Sequence, residues 1–212
     1  MTPQPEKCKI MHVSFLRNAS APPVIIPEST ALEAVPALRL LGVTIQANLK
    51  WDAQVNHMIS QASRRLYILT MLKSFGVSRG DLVFVYTTYI RPLMEFCAPV
   101  WGSSITAHQS TRIESVQKRA LRMIASPEKH NYDELLVLYD IPTLESRRTD
   151  LILSFGKSLL LSDRHRGLLT SSRQSVSRTG LRNGHKLTLP KIRTKRYAPS
   201  SIPAIVDLLN SL

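Results

Sequence analysis

Fifteen carboxylates are spread along the 212 residues, and only Asp133 and Glu134 stand side by side. No Asp-Asp pair occurs, and Asp133-Glu134 falls where a short amphipathic helix is expected, so the pair reads as a solvated face rather than a metal site. Cys8 and Cys97 are far apart, with no second Cys or His at ligand spacing around either, and His57, His108 and His130 share no such spacing. Neither a zinc knuckle nor a disulfide framework can be built from them. The cations are more concentrated. Arg112, Lys118, Arg119 and Arg122 recur at helical steps, and Lys191, Arg193, Lys195 and Arg196 crowd into a second short stretch. A helix can lay several cations along a row of phosphates, a contact that positions nucleic acid without reading its sequence. A solvated basic face is the competing reading for the first group, and a nuclear import signal for the second.

The whole composition points the same way. Lys and Arg number 28 against 15 Asp and Glu, a net charge of +13 with a pI near 10.2, which fits a polyanionic partner, nucleic acid before any other. The hydrophobic fraction, 43%, supports a real core. No run approaches 18 uncharged apolar residues, so no membrane association is expected. The first residues lack the apolar segment of a signal peptide, and the two isolated cysteines suit a reducing, intracellular compartment, nucleus or cytoplasm.

The elements that must position these residues are mainly helical. Short β-type runs at 9–15, 24–26 and 38–45, the last interrupted by Gly42 where a bulge is expected, predict a small antiparallel sheet of two or three strands. From Trp51 the period changes. Val55, Ile59, Ala62, Leu66, Leu69 and Leu72 mark a first helix that closes at Gly76. Ser78 caps a second, too apolar for a single buried stripe and disturbed by Pro92. A third and most basic helix spans about 108–126, burying Ile113, Val116, Ala120 and Ile124; a short helix follows at 132–139, and Thr143 caps a fifth that runs to 161, with Ser146 where a full capping box would have Glu. Beyond Ser162 ten Lys and Arg face only Asp163 and Asp207. This serine-rich basic arm is expected to be loosely held until a short helical pattern returns at 202–212. Trp51 and Trp101 flank expected helices, so packing is favoured over base stacking.

Three groups of residues carry a family resemblance. The first is Glu6-Lys7-Cys8-Lys9-Ile10-Met11 with Leu40-Leu41-Gly42-Val43-Thr44-Ile45 and Leu49-Lys50-Trp51. The second, the most specific, is Tyr89-Ile90-Arg91-Pro92-Leu93-Met94-Glu95-Phe96-Cys97-Ala98-Pro99-Val100-Trp101, followed by Ile113-Glu114-Ser115-Val116-Gln117-Lys118-Arg119-Ala120-Leu121-Arg122-Met123-Ile124. The third is His185-Lys186-Leu187-Thr188-Leu189-Pro190, Arg193-Thr194 and Asn210-Ser211-Leu212. Together they resemble the region after the palm in non-LTR retrotransposon reverse transcriptases of the Jockey-like kind.

The resemblance implies an arrangement of parts: the end of the palm and a primer-grip-like β segment over 1–50, in which the piece from Leu40 to Trp51 is a hairpin leading into the thumb, a thumb-like three-helix bundle over 51–126, a helical connection over 127–161 and a basic tail over 162–212. It implies an RNA/DNA hybrid as partner, together with the palm region of the same polyprotein, and magnesium as cofactor of the complete enzyme. Polymerisation there needs carboxylates holding two metal ions. The chain looks as if it begins just after that aspartate pair, so it is expected to be inactive alone, with no catalytic residue and no cofactor of its own. Lys7 resembles a family lysine near the incoming nucleotide; an ordinary strand-edge lysine is the alternative. Gly42 would let backbone approach a primer sugar-phosphate closely, or serve an ordinary turn. The competing class of function is a retroelement remnant, non-functional or reused as a helical protein-interaction module.

Overall fold

A computed structural model describes residues 8–14, 32–169, 186–195 and 197–212. Lys7, Arg196, the expected strand at 24–26 and most of the serine-rich arm lie outside the described residues. The chain is mainly helical, with a small two-stranded antiparallel sheet near the N-terminus. It divides into two compact units, residues 1–57 and 58–212.

In the first unit, β1 (Lys9–Ile10) pairs in parallel with β2 (Glu33–Ala34), helped by the exposed Lys9–Glu33 ion pair at 3.3 Å. The run expected as one strand at 38–45 is instead a hairpin. β3 (Ala37–Leu40) pairs antiparallel with β4 (Val43–Gln46), and Leu40 faces Val43. The two loop residues, Leu41 and Gly42, have φ of 47° and 89°. Positive φ at both positions is what a two-residue turn matched to strand twist requires, so Gly42 makes a turn and not a bulge. Gln46 Oε1 accepts the Ala53 N–H, and the buried Gln54 returns the favour by accepting the Thr44 N–H at 2.8 Å.

Helix α1 (Asp52–Ser74) ends as its sequence foretells. Gly76, at φ 78°, lets its own N–H reach Lys73 O and the Val77 N–H reach Leu72 O, which satisfies two terminal carbonyls. Ser78 accepts from the Asp81 N–H to cap α2 (Arg79–Val85). The helical path then widens into a π turn, Tyr86–Ile90, before α3 (Arg91–Glu95), where the Arg91 N–H bonds five residues back to Tyr86 O. Pro92 explains the widening: it has no N–H and its ring crowds the carbonyl four residues earlier, so the chain absorbs an extra residue upstream instead of bending sharply. Cys97, at φ 53°, turns the chain into α4 (Ala98–Trp101).

Helix α5 (Ala107–Ala125) begins with a full capping box between Thr106 and Gln109. Asn131 and Glu134 form another on α6 (Tyr132–Leu138). Thr143 caps α7 (Leu144–Leu161) through the Ser146 N–H alone, and after a 3₁₀ turn at Arg166–Leu168 the described chain closes with α8 (Ser201–Asn210). Leu66, Leu69, Leu82, Tyr86, Ile90, Met94, Trp101, Ile113, Leu121 and Ile124 are all buried in this unit. A satellite core of Ile152, Leu159, Leu169, Ile205 and Val206 joins α7 to α8. Leu187 packs on it, and Leu187 N–H and O both bond to the Asn210 side chain while Lys186 Nζ reaches Asn210 O, so the arm is held firmly at this point.

Candidate nucleic-acid interface

The site is best built from α5, because its apolar residues decide which way its cations face. Ile113, Val116, Ala120, Leu121 and Ile124 are buried. At about 100° per residue, Arg112, Lys118, Arg119 and Arg122 then fall within roughly a third of the circumference, on the opposite side. Arg119 and Arg122 are exposed, whereas Arg112 and Lys118 are partly covered. Lys118 holds its ammonium 5.6 Å from the centre of the Tyr132 ring, a cation–π arrangement that ties it to α6. Arg119 Nη2 donates to Ser63 Oγ of α1 at 2.6 Å.

The one acid of α5, Glu114, lies one turn before Lys118 and is turned toward α6 and α7. Its carboxylate accepts from Tyr132 Oη and from the Leu144 N–H, the first residue of α7. Gln117 beside it takes the Tyr86 hydroxyl at 2.6 Å and donates to Tyr132 Oη and Pro142 O. Burial pushes both tyrosines upward in pKa, Tyr132 further through its bond to Glu114. Glu114 is thus occupied by Tyr132 and Leu144, and Arg119 and Arg122 are the cations of the group left exposed.

Glu95 and Glu128 are likewise engaged by cations. Glu95 receives a two-pronged bond from Arg147, 2.9 Å on each arm, with Arg91 Nε at 3.4 Å. Glu128 pairs with Arg79 at 2.7 Å and with His130 at 3.2 Å. Among the described residues no group of three or more His, Cys, Asp or Glu gathers as metal ligands would.

Gly42 belongs to the hairpin turn of the first unit, where Leu41 beside it is 89% exposed. Lys191, Arg193 and Lys195 are exposed on the arm beyond its anchor at Lys186 and Leu187. Trp101 is buried, with Nε1 donating to Phe96 O at 2.8 Å, and so serves packing as expected. Sequence reasoning missed Ser63 and Lys73, the α1 residues that meet α5; Lys73 Nζ donates to Met123 O and Ser126 O. A signal for them was present, since residues 53–80 hold no Asp or Glu. Among the described residues no helix is long and apolar enough to cross a membrane. No protein-family model, curated protein or solved structure matches the chain.

Proposed function

We propose that this chain is the post-palm, thumb-like part of a non-LTR retrotransposon reverse transcriptase, which grips the backbone of an RNA/DNA hybrid and does not polymerise by itself. The observation that carries this reading is the disposition of charge on α5, where Arg119 and Arg122 stand exposed while Glu114 is occupied by Tyr132 and Leu144. A rigid helix holding cations at successive turns presents them to neighbouring phosphates with no backbone to order on binding. Arg112 and Lys118 flank that row, and the exposed Lys191, Arg193 and Lys195 add a second electrostatic contact. In the complete enzyme the palm of the same polyprotein would supply the paired aspartates and hold magnesium. The workplace is intracellular, nucleus or cytoplasm.

The test is equilibrium binding of the purified chain to a labelled RNA/DNA hybrid across a salt series. Binding with little sequence preference is expected, with log K falling by about 0.9 per phosphate contact for each decade of salt. Absence of binding at low salt would sink the proposal. Primer extension by this chain with Mg²⁺ should yield no product.

A second reading, a retroelement remnant reused as a protein-interaction module, draws on Val137 and Leu138 of α6, which are 83% and 55% exposed. It predicts that reversing the charge of Arg119 and Arg122 leaves binding of the chain's protein partner untouched. The nucleotide sequence upstream of the Met1 codon separates the two further: a frame encoding a palm with paired aspartates favours the polymerase.

A further inference from the structure

Helix α1 presents a surface beside the α5 cations that charge alone does not single out. Arg119 Nη2 sits on Ser63 Oγ, and Lys73 is bonded to carbonyls at the end of α5, so the two helices are tied at two heights. Met58, Ala62, Leu66 and Leu69 bury the other side of α1. Ser60, Arg64, Tyr67, Thr70 and Met71 share the outward side and are exposed, Tyr67 to 67% and Met71 to 40%. The face therefore combines hydroxyls, one guanidinium and a largely uncovered aromatic ring, in a stretch without a carboxylate. Tyr67 follows Ser63 by four residues, about 6 Å of helical rise. Its ring is one turn from the point where the Arg119 guanidinium is held.

We propose that this α1 face is a base-stacking platform: a strand whose phosphates lie on Arg64, Arg119 and Arg122 places an unpaired base on the Tyr67 ring. The proposal rests on the nucleic-acid reading of α5 and adds to it the state of the strand. Cations at successive turns hold the backbone of any strand, paired or not. A ring lying on a helix surface is different, because only a base that has left its own stack can lie flat on it. Met71, one turn beyond Tyr67, extends the apolar surface under the base. Ser60 and Thr70 supply donors and acceptors for the sugar edge. The partner is accordingly an unpaired segment, such as the single-stranded extension of a hybrid duplex.

The experiment uses the full chain and three labelled probes at constant salt: a blunt RNA/DNA hybrid, the same hybrid with a short single-stranded extension, and a single-stranded oligonucleotide. The variants are Tyr67→Ala, Tyr67→Trp and the pair Arg119→Glu with Arg122→Glu. Tyr67 is exposed, so its variants should unfold at the wild-type temperature. The platform predicts that Tyr67→Ala weakens binding of the two probes with unpaired bases by about five- to tenfold and leaves the blunt hybrid unchanged. Tyr67→Trp should keep the preference and show indole quenching with those two probes only. The α5 pair should weaken all three. If Tyr67→Ala binds every probe like wild type while the α5 pair weakens them, the platform is overturned and the α5 reading stands. If wild type binds none of the probes, both fall.

Discussion

The carboxylate of Glu114 accepts the backbone N–H of Leu144 with its two oxygens at 3.2 and 3.1 Å, which places a negative charge at the amino end of α7. An anion there is favoured by the unpaired N–H groups and by the helix dipole. The same bond removes the only acid of α5 from the surface that carries Arg119 and Arg122. Glu114→Gln should therefore act on stability rather than on binding. Loss of the charge at the helix end and of a charge-assisted bond to Tyr132 is expected to cost about 1–3 kcal/mol in urea unfolding. The salt slope of hybrid binding should be unaltered; a changed slope would mean that Glu114 reaches the nucleic acid.

Arg119→Glu together with Arg122→Glu addresses the interface directly. Each lost phosphate contact lowers the magnitude of the salt slope by about 0.9, so the pair should lower it by about 2 and weaken all sequences alike. Titrations at four or five salt concentrations measure this. An unchanged slope would move the contact to Lys191, Arg193 and Lys195.

Gly156 of α7 faces Ile205 and Leu209 of α8 at close range. A Cβ added there would lie 2.7 Å from Ile205 Cγ2 and 3.4 Å from Leu209 Cδ1. Gly156→Ala normally gains helix propensity, but here overpacking should dominate and destabilise by about 1–3 kcal/mol. Denaturant unfolding decides the sign. Pairing the substitution with Ile205→Leu should recover part of the loss, because the clashing atom is the Cγ2 methyl, which leucine lacks.

Arg147 and Glu95 form a two-armed pair that is largely shielded, with side-chain exposures of 30% and 12%. The bond to Glu95 raises the Arg147 pKa. Glu95→Gln keeps the shape but leaves two guanidinium groups, Arg147 and Arg91, short of a counter-charge. A loss of about 1–3 kcal/mol is expected, and Arg147→Lys should recover none of it because an ammonium cannot form the fork. Thermal unfolding of the single and double variants tests the coupling.

The Arg79 guanidinium, with His130 next, holds the Glu128 carboxyl at about 2, well below its ordinary 4.5. A carboxylate depressed on folding contributes stability that is present above its unfolded pKa and is lost as pH falls from about 4.5 through about 2. The pair is solvent-exposed, so high salt should diminish the effect. Carboxyl ¹³C NMR should place the Glu128 midpoint near 2 and, in Arg79→Ala, move it back up towards 4.5. A midpoint that does not move in Arg79→Ala would assign the depression to another group.

Much of the helical framework was legible because its signals are local. Gly76, Ser78 and Thr143 announce helix ends through φ freedom and short-range hydroxyl bonds, and the apolar period between them sets each helix's buried side. The residues alone read the segment around Leu41-Gly42 as one strand, because a lone glycine in an apolar run signals a bulge as readily as a turn and nothing about a leucine announces a positive φ; only the resemblance implied a hairpin there. Glu33–Ala34 escaped for a related reason: a two-residue parallel strand exists only through its distant partner, Lys9–Ile10.

The candidate interface divides in the same way. The sequence by itself determined the excess of cations, the lack of an Asp-Asp pair and the helical phase that puts Arg112, Lys118, Arg119 and Arg122 on one side of α5. Only the tertiary structure decided their separate states: Lys118 lies over Tyr132, Arg119 rests on Ser63, and Arg122 stands exposed. It also decided that Glu114 faces Leu144 and Glu95 faces Arg147, across 30 and 52 residues of chain. Helical phase depends on bonds between residues four apart, whereas a side chain's partner depends on which helices the apolar core brings together.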